Sequence, residues 1–465
     1  MGSNPTLSAI DLPSRCRTLN GGAASTSPAR VALGVFLTGR TELTAEPILN
    51  APPPSAEAPE ILFRSDALEV RRVVAGDGAA QVVTFESYHD DPGFARSGFG
   101  QSFFAREGLT AIHVLSAGND WYQHAEMDEA LACIRAATQG AARLLAYGSS
   151  MGGYAAIRFA DAIGATHALA LSPQYTIDRR RFPKERRWYN DQRRIAFRAD
   201  YNGAIACRAD VVVAYDPMMP MDAAHIDRIA ADVPVRRLRL PHAGHPVAPF
   251  LNEVDLLQPL ALDMARGSVD LATLEALAAA RTGGSVTWLI ERSARLPGDR
   301  GEAGLRLAEK AMELAPGNPT VLYQYGLRLH EAGDYGAAVE MHRRAVEIMP
   351  HPGFLIALSK ALFFGGEPAE ALAIAQEVVR KAPYAHVYTR WRGRIRSALG
   401  DHEGAANDYA AVFRMKPSLR ALFGITRRHL RLWYEQAKDG LGGVPRSAGE
   451  RPVQPSEQAP DRPAG

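Results

Sequence analysis

Two hydrophobic rhythms divide this chain. From about residue 61 to 265, short apolar or β-branched runs alternate with longer stretches whose apolar positions recur at helical spacing. The runs are Leu68 to Val74, Ala80 to Glu86, Thr110 to Leu115, Leu144 to Tyr147, His167 to Leu171, Asp210 to Tyr215 and Val235 to Leu240. Strands alternating with helices predict a parallel sheet covered by helices on both faces, an α/β three-layer domain. After about residue 285 the strand runs stop and helical periodicity takes over.

That second rhythm has a fixed period. Pro316, Pro350, Pro383 and Pro417 are separated by 34, 33 and 34 residues, each closing a helical stretch. Each unit carries a mid-repeat turn, Gly333-Asp334, Gly366-Glu367 and Gly400-Asp401, followed by small residues: Ala337-Ala338, Ala369 with Ala371, and Ala405-Ala406. Glycine lets the first helix of a unit stop, and alanine lets the second approach it closely. The region resembles a tetratricopeptide (TPR) array. Three full repeats span about 317–417, and a degenerate one covers 286–316, where Gly298-Asp299 matches the turn. A basic helix from Leu419 to Gln436 is expected to cap the stack.

The flanks have no such rhythm. Residues 1–60 are rich in Gly, Ala, Ser, Thr and Pro and read as a flexible arm and linker, with Val31 to Phe36 as an optional appended strand. Residues 266–285 form a linker helix, 286–436 the TPR-like module, and 437–465 a Pro- and charge-rich tail expected to be disordered.

Composition narrows the class. A chain of 465 residues exceeds one ordinary core. Its 46% apolar and 22% charged content is that of a soluble globular protein, and a net charge of +2 argues against a general role on nucleic acid or a membrane surface. Cys16, Cys133 and Cys207 are far apart and in no metal-ligand spacing, so neither a disulfide framework, a metal site nor a cofactor is expected. With no long apolar span and no signal-like N-terminus, the expected location is the cytoplasm.

The candidate chemistry sits at Gly148-Ser149-Ser150-Met151-Gly152, between the strand run ending at Tyr147 and the helical run from Tyr154. A serine on a sharp strand-to-helix turn stands clear of the sheet, and the flanking glycines remove side chains that would clash there. The competing reading is a plain helix start with Ser149 or Ser150 as N-cap. Further along, Val211 to Tyr215 ends at Asp216-Pro217-Met218-Met219-Pro220-Met221-Asp222, and Val235 to Leu240 ends at Pro241-His242-Ala243-Gly244-His245.

With these in order, residues 61–265 resemble the α/β-hydrolase superfamily. There the acid follows the strand two after the nucleophile's strand, and the histidine follows the next. The resemblance implies Ser150 as nucleophile, His245 as general base and Asp216 as the acid that orients it. Asp222 competes with Asp216 but opens a helical stretch, which suits an N-cap; His242 competes with His245. Other histidines, including His89, His113 and His225, read as structural or solvated. The oxyanion would be bound by the N–H of Met151 and by a loop after the Ala80 to Glu86 strand, at Tyr88, where Glu86-Ser87 replaces the family's His-Gly.

Two stretches would shape a substrate pocket. Asn119-Asp120-Trp121-Tyr122 follows a strand at the ligand-binding edge and suits a polar substrate, or is a packed loop. Between residues 179 and 198, nine basic residues face two acidic ones, in the place where this superfamily inserts a lid. Arg186 and Arg187 there could hold an anionic substrate or an acyl group on a phosphopantetheine or coenzyme A carrier, or the stretch pairs with acidic surface elsewhere. The function expected is a serine esterase or thioesterase with a TPR module for a protein or peptide partner. An acyltransferase using the same triad, and a scaffold carrying an inactive hydrolase domain, are the alternatives.

Overall fold

The computed structural model describes residues 59–91, 93–296 and 301–415. The N-terminal arm with Val31 to Phe36, the turn Gly298-Asp299, Pro417, the capping helix and the tail lie outside the described residues. The described chain divides between Met349 and Pro350 into two compact units, each taken by itself below.

The first unit is built on an eight-stranded sheet: β1 (Glu60–Arg64), β2 (Leu68–Val73), β3 (Ala80–Phe85), β4 (Thr110–Ser116), β5 (Arg143–Ser149), β6 (His167–Leu171), β7 (Asp210–Tyr215) and β8 (Val235–Arg239), in the order β1-β2-β4-β3-β5-β6-β7-β8. Strands β3 to β8 run parallel, whereas β1 and β2 pair antiparallel and β2 lies antiparallel to β4. The sheet is therefore mixed, not wholly parallel as the alternation predicts. The cause is local: Ser65 closes a tight turn, its N–H bonded to the Leu68 carbonyl and its hydroxyl accepting from the Ala67 and Leu68 N–H groups. A three-residue connection allows only a hairpin, and a parallel neighbour needs a long crossover.

Alternate residues of each strand serve opposite cores. Val83, Ala146, Ala170 and Val213 face one cluster with the helices Met127–Ala137 and Met151–Arg158; Val82, Leu145, Leu171 and Val212 face the other with Ala248–Glu253 and Leu257–Arg266. Both faces are covered, so the central strands are buried almost throughout and lack polar alternation. This fixes the carboxyl ends of β5 to β8 as a rigid ledge.

The rest of this unit is helical. Val286–Arg295 pairs with Gly301–Leu314, and Pro319–Ala332 with Tyr335–Ile348. The second unit holds two more antiparallel pairs, Pro352–Phe364 with Pro368–Lys381, and His386–Ala398 with His402–Met415. The turn glycines have φ of 86° at Gly333, 96° at Gly366 and 85° at Gly400, the left-handed region that lets a helix end without strain. Ala338, Ala371 and Ala405 are buried where paired helices meet. No helix of the described residues is long and apolar enough to cross a membrane.

Candidate functional site

Ser150 sits between the end of β5 and the helix Met151–Arg158 with φ 52° and ψ −113°, a conformation costly for any residue bearing a Cβ. Its neighbours make the bend possible: a Cβ on Gly148 would lie 2.3 Å from the Gly152 backbone, and one on Gly152 would lie 2.1 Å from the Phe85 carbonyl oxygen. The Ser150 N–H is tied to the Leu171 carbonyl of β6 at 2.8 Å. Its hydroxyl makes no cap bond to the helix; it points to His245 Nε2 at 3.1 Å. The N-cap reading of Ser150 is thereby replaced by a serine–histidine contact.

His245 lies in the loop after β8, and its Nδ1 donates to Asp222 Oδ2 at 2.6 Å. With that proton on Nδ1, Nε2 is free to accept the serine hydroxyl proton. Asp222 is in the first turn of the helix Pro220–Asp232, buried, its other oxygen taking Arg187 Nη1 at 2.7 Å. Burial alone would raise the Asp222 carboxyl, but the charges and hydrogen bonds of His245 and Arg187 outweigh it and hold the group below the usual carboxylate value.

Asp216, the acid expected from the sequence, does not meet His245. Its Oδ1 accepts the N–H groups of Met218 at 2.8 Å and His242 at 3.0 Å, and its Oδ2 that of Gly244 at 3.0 Å. It is the peg that ties the loop after β7 to the loop after β8. Asp222 is not the helix cap expected from the sequence: the N-cap position is Met219 with Pro220 next, and the Asp222 carboxylate caps nothing. Placed one turn into the helix, it faces inward.

His242 is likewise structural. Its Nε2 contacts Arg292 Nη1 at 2.7 Å and its ring meets Trp288 edge-on, both from the helix Val286–Arg295. Burial, then the Arg292 and Arg295 charges, push its pKa down to about 4. A nuclear magnetic resonance titration should find His242 neutral until about pH 4, and Arg292→Ala should move that midpoint up; an unmoved midpoint would show that Arg292 does not act on the ring.

The same helix is stitched to the sheet domain at several points. Glu253 accepts from the Ser285 hydroxyl at 2.5 Å and from the Thr287 N–H and hydroxyl at 2.9 and 2.7 Å. Arg295 sits 3.6 Å from Asp216 and also holds Glu291, whose carboxylate fills the space beside Gly244. The first repeat helix therefore buttresses the loop that carries His245.

Of the oxyanion candidates, Met151 opens the elbow helix, where the first N–H groups have no acceptor within the helix. Tyr88 stacks on Trp188 at 5.1 Å and meets Trp121 edge-on at 5.8 Å, in the loop that begins against Gly152. The expected substrate groups after β4 are spent on the protein. Asn119 Oδ1 accepts the His89 N–H at 3.0 Å, and Asp120 pairs with Arg194. Trp121 and Tyr122 are buried at φ 49° and 55°, and the Tyr122 hydroxyl donates to the Glu86 carbonyl at 2.9 Å. This is the packed loop; of these polar groups the buried Trp121 Nε1–H has no partner among the described residues.

The basic segment is mostly paired as well. Arg180 meets Asp178; Arg194 meets Asp120 and Asp191; Arg198 meets Asp128 and Asp200. Arg187, expected to bind substrate, is half-buried and pairs with both Glu185 and Asp222. Glu185 in turn takes His225 Nε2 at 2.9 Å, so His225 is structural. Against its burial, the His225 and Arg187 hydrogen bonds hold the Glu185 carboxyl down at about 2. Arg186 is exposed. One residue at the site has no forerunner in the sequence reading: Gln174, after β6, donates from Nε2 to Ser150 Oγ at 3.1 Å and lies 3.5 Å from His245 Nε2.

No protein-family model matches the chain, and no curated protein matches it. Solved structures similar to it include TPR proteins. They include residues 41 to the end of MamA from Desulfovibrio magneticus RS-1, 18% identical over 35% of this chain and 92% of that one, TM-score 0.30. YrrB, described as a TPR protein with an unusual peptide-binding site, is 20% identical over 37% of this chain and 88% of that one, TM-score 0.29. The first TPR of Spaghetti (RPAP3), bound to an HSP90 peptide, is 22% identical over 25% of this chain and 93% of that one, TM-score 0.24. All three scores lie below 0.5, and the architecture of the helical region rests on its own 34-residue period and paired helices.

Proposed function

We propose that the chain is a serine hydrolase of α/β-hydrolase type, acting on an ester or thioester through an acyl-enzyme at Ser150, with a TPR-like module that binds a protein or peptide partner. The observation that carries this reading is the unbroken line from Ser150 Oγ to His245 Nε2 at 3.1 Å and from His245 Nδ1 to Asp222 at 2.6 Å. A strained elbow supports it, because backbone strain of this kind clusters where a side chain has to be presented for function. So does the order of elements: nucleophile after β5, acid after β7, histidine after β8.

In this reading His245 removes the Ser150 proton as Oγ attacks the substrate carbonyl, and Asp222 stabilises the resulting imidazolium. The Met151 N–H donates to the developing oxyanion. His245 then protonates the leaving group, and an acceptor, assisted by the same imidazole, releases the acyl group. Helix pairs of TPR type commonly hold peptides or partner helices, and the paired helices of this chain are assigned that role.

Turnover tests the reading as a whole. The purified full chain should release p-nitrophenol from short-chain p-nitrophenyl esters, and prior treatment with a fluorophosphonate should abolish that release. A folded chain that neither turns over such esters and acyl thioesters nor reacts with the fluorophosphonate would contradict it.

A further inference from the structure

We propose that Gln174 holds the acyl acceptor for deacylation, an inference that rests on the serine-hydrolase reading above. Its side chain is 1% exposed. One end of the carboxamide is used: Nε2 donates to Ser150 Oγ at 3.1 Å and lies 3.5 Å from His245 Nε2. The other end, Oε1, is buried with no hydrogen-bond partner among the described residues. Turning the carboxamide over would only exchange the atoms, leaving one polar end unpaired. Other buried polar atoms of the described residues also lack a partner, but Gln174 Oε1 is the one on a side chain that contacts both Ser150 and His245, which points to a partner that arrives with the substrate.

The backbone on both sides of Gln174 is held in place. Before it, the Ser172 N–H is bound to the Ala214 carbonyl at 2.8 Å, and the Ser172 hydroxyl accepts the Val247 N–H at 3.1 Å. After it, the Tyr175 N–H donates to His225 Nδ1 at 3.1 Å. Rigid support of this kind is what a positioned polar contact needs.

Its place identifies the ligand chemistry. His245 Nε2 is the atom that takes a proton from the acceptor during deacylation, and Gln174 is the side chain beside that nitrogen. In the step, the acceptor's oxygen or nitrogen bonds to the acyl carbon and passes one hydrogen to His245. The bond from the acyl carbon to Ser150 Oγ breaks, and Oγ recovers a proton from His245. An acceptor with a second donor hydrogen keeps it and donates it in a hydrogen bond to Gln174 Oε1 at the same moment. Water, a primary amine and a polyol have such a hydrogen; a simple alcohol does not.

The test separates acylation from deacylation in the full chain. Fluorophosphonate labelling reports the first, and pre-steady-state release from p-nitrophenyl acetate followed by steady turnover reports the second. Products are measured in water alone, with glycerol and with methanol. Gln174→Leu, with Gln174→Met as a second variant, should slow deacylation to water and glycerol by about tenfold more than it slows labelling, so that acyl-enzyme accumulates. Transfer to methanol should fall by less than about threefold. The ratio of free acid to glyceryl ester in the wild type tells water from polyol as the preferred acceptor.

Deacylation that is unchanged in both folded variants, or that falls in the same proportion as labelling and equally for methanol, would overturn the proposal while leaving the hydrolase reading intact. A wild type that is neither labelled nor acylated would overturn both. Circular dichroism and thermal melting establish that the variants are folded; if Leu disrupts the fold, the thinner Met side chain carries the comparison.

Discussion

Asp222→Asn is expected to lower kcat for ester hydrolysis by about ten-thousandfold, the loss that follows when an orienting carboxylate becomes an amide and the imidazole takes the wrong tautomer. The carboxylate accepts the His245 Nδ1 proton at 2.6 Å, which keeps Nε2 unprotonated toward Ser150. An asparagine that presents its NH2 to Nδ1 would favour the reverse. Asp216→Asn is expected to behave differently. It disturbs a carboxylate that accepts three backbone N–H groups, so it should lower stability by about 1–3 kcal/mol while the folded chain keeps most of its turnover. Steady-state kinetics and urea unfolding on both variants check the pair. If Asp216→Asn abolished turnover in a folded chain and Asp222→Asn did not, the acid would be reassigned to Asp216.

Arg187→Ala is expected to destabilise the fold by about 3–5 kcal/mol, because it strands two buried carboxylates, Asp222 and Glu185, beside a vanished counter-ion. The effect depends on pH in a fixed direction. The Glu185 carboxyl is held at about 2 in the folded chain, below its ordinary 4.5, so its contribution is complete above about 4.5 and disappears as the pH falls toward 2. Urea unfolding should therefore show a large gap between wild type and Arg187→Ala at pH 7 and a smaller one near pH 3. An equal gap at both values would mean that lost packing, not lost pairing, accounts for the change. Activity should fall too, since Asp222 would lose one of the two hydrogen-bonded partners, Arg187 and His245, that fix its orientation.

The legible parts of this chain were those whose signal is local. Glycines around Ser150 must be glycine because Phe85 and Gly152 backbone atoms occupy the space, and Gly244-His245 follows a strand that any apolar pattern reveals. The repeat period was legible for the same reason, since each turn and alanine pair recurs at a fixed distance. Strand direction was not, because a hydrophobic run looks the same in either sense; only the Ser65 turn forces β1 and β2 antiparallel. Asp222 was passed over in favour of the first acid after the strand. The choice depends on which way a helix turn points its N-terminal residues, and that is set by the packing of Pro220–Asp232.

Arginines offered no distinction along a basic run, yet Arg187 is half-buried against Asp222 while Arg186 beside it is exposed. Gln174 carried no signal at all. It gains its meaning only when the end of β6 folds beside the end of β5, bringing residues 24 apart to within 3.1 Å.

The measurement that bears most directly on the central claim is the site of covalent modification. Reaction of the full chain with a fluorophosphonate, followed by proteolysis and mass spectrometry, should place one phosphonyl group on Ser150, and Ser150→Ala should take up none under the same conditions. An adduct on any other residue, or a folded wild type that takes up no phosphonyl group, would contradict it.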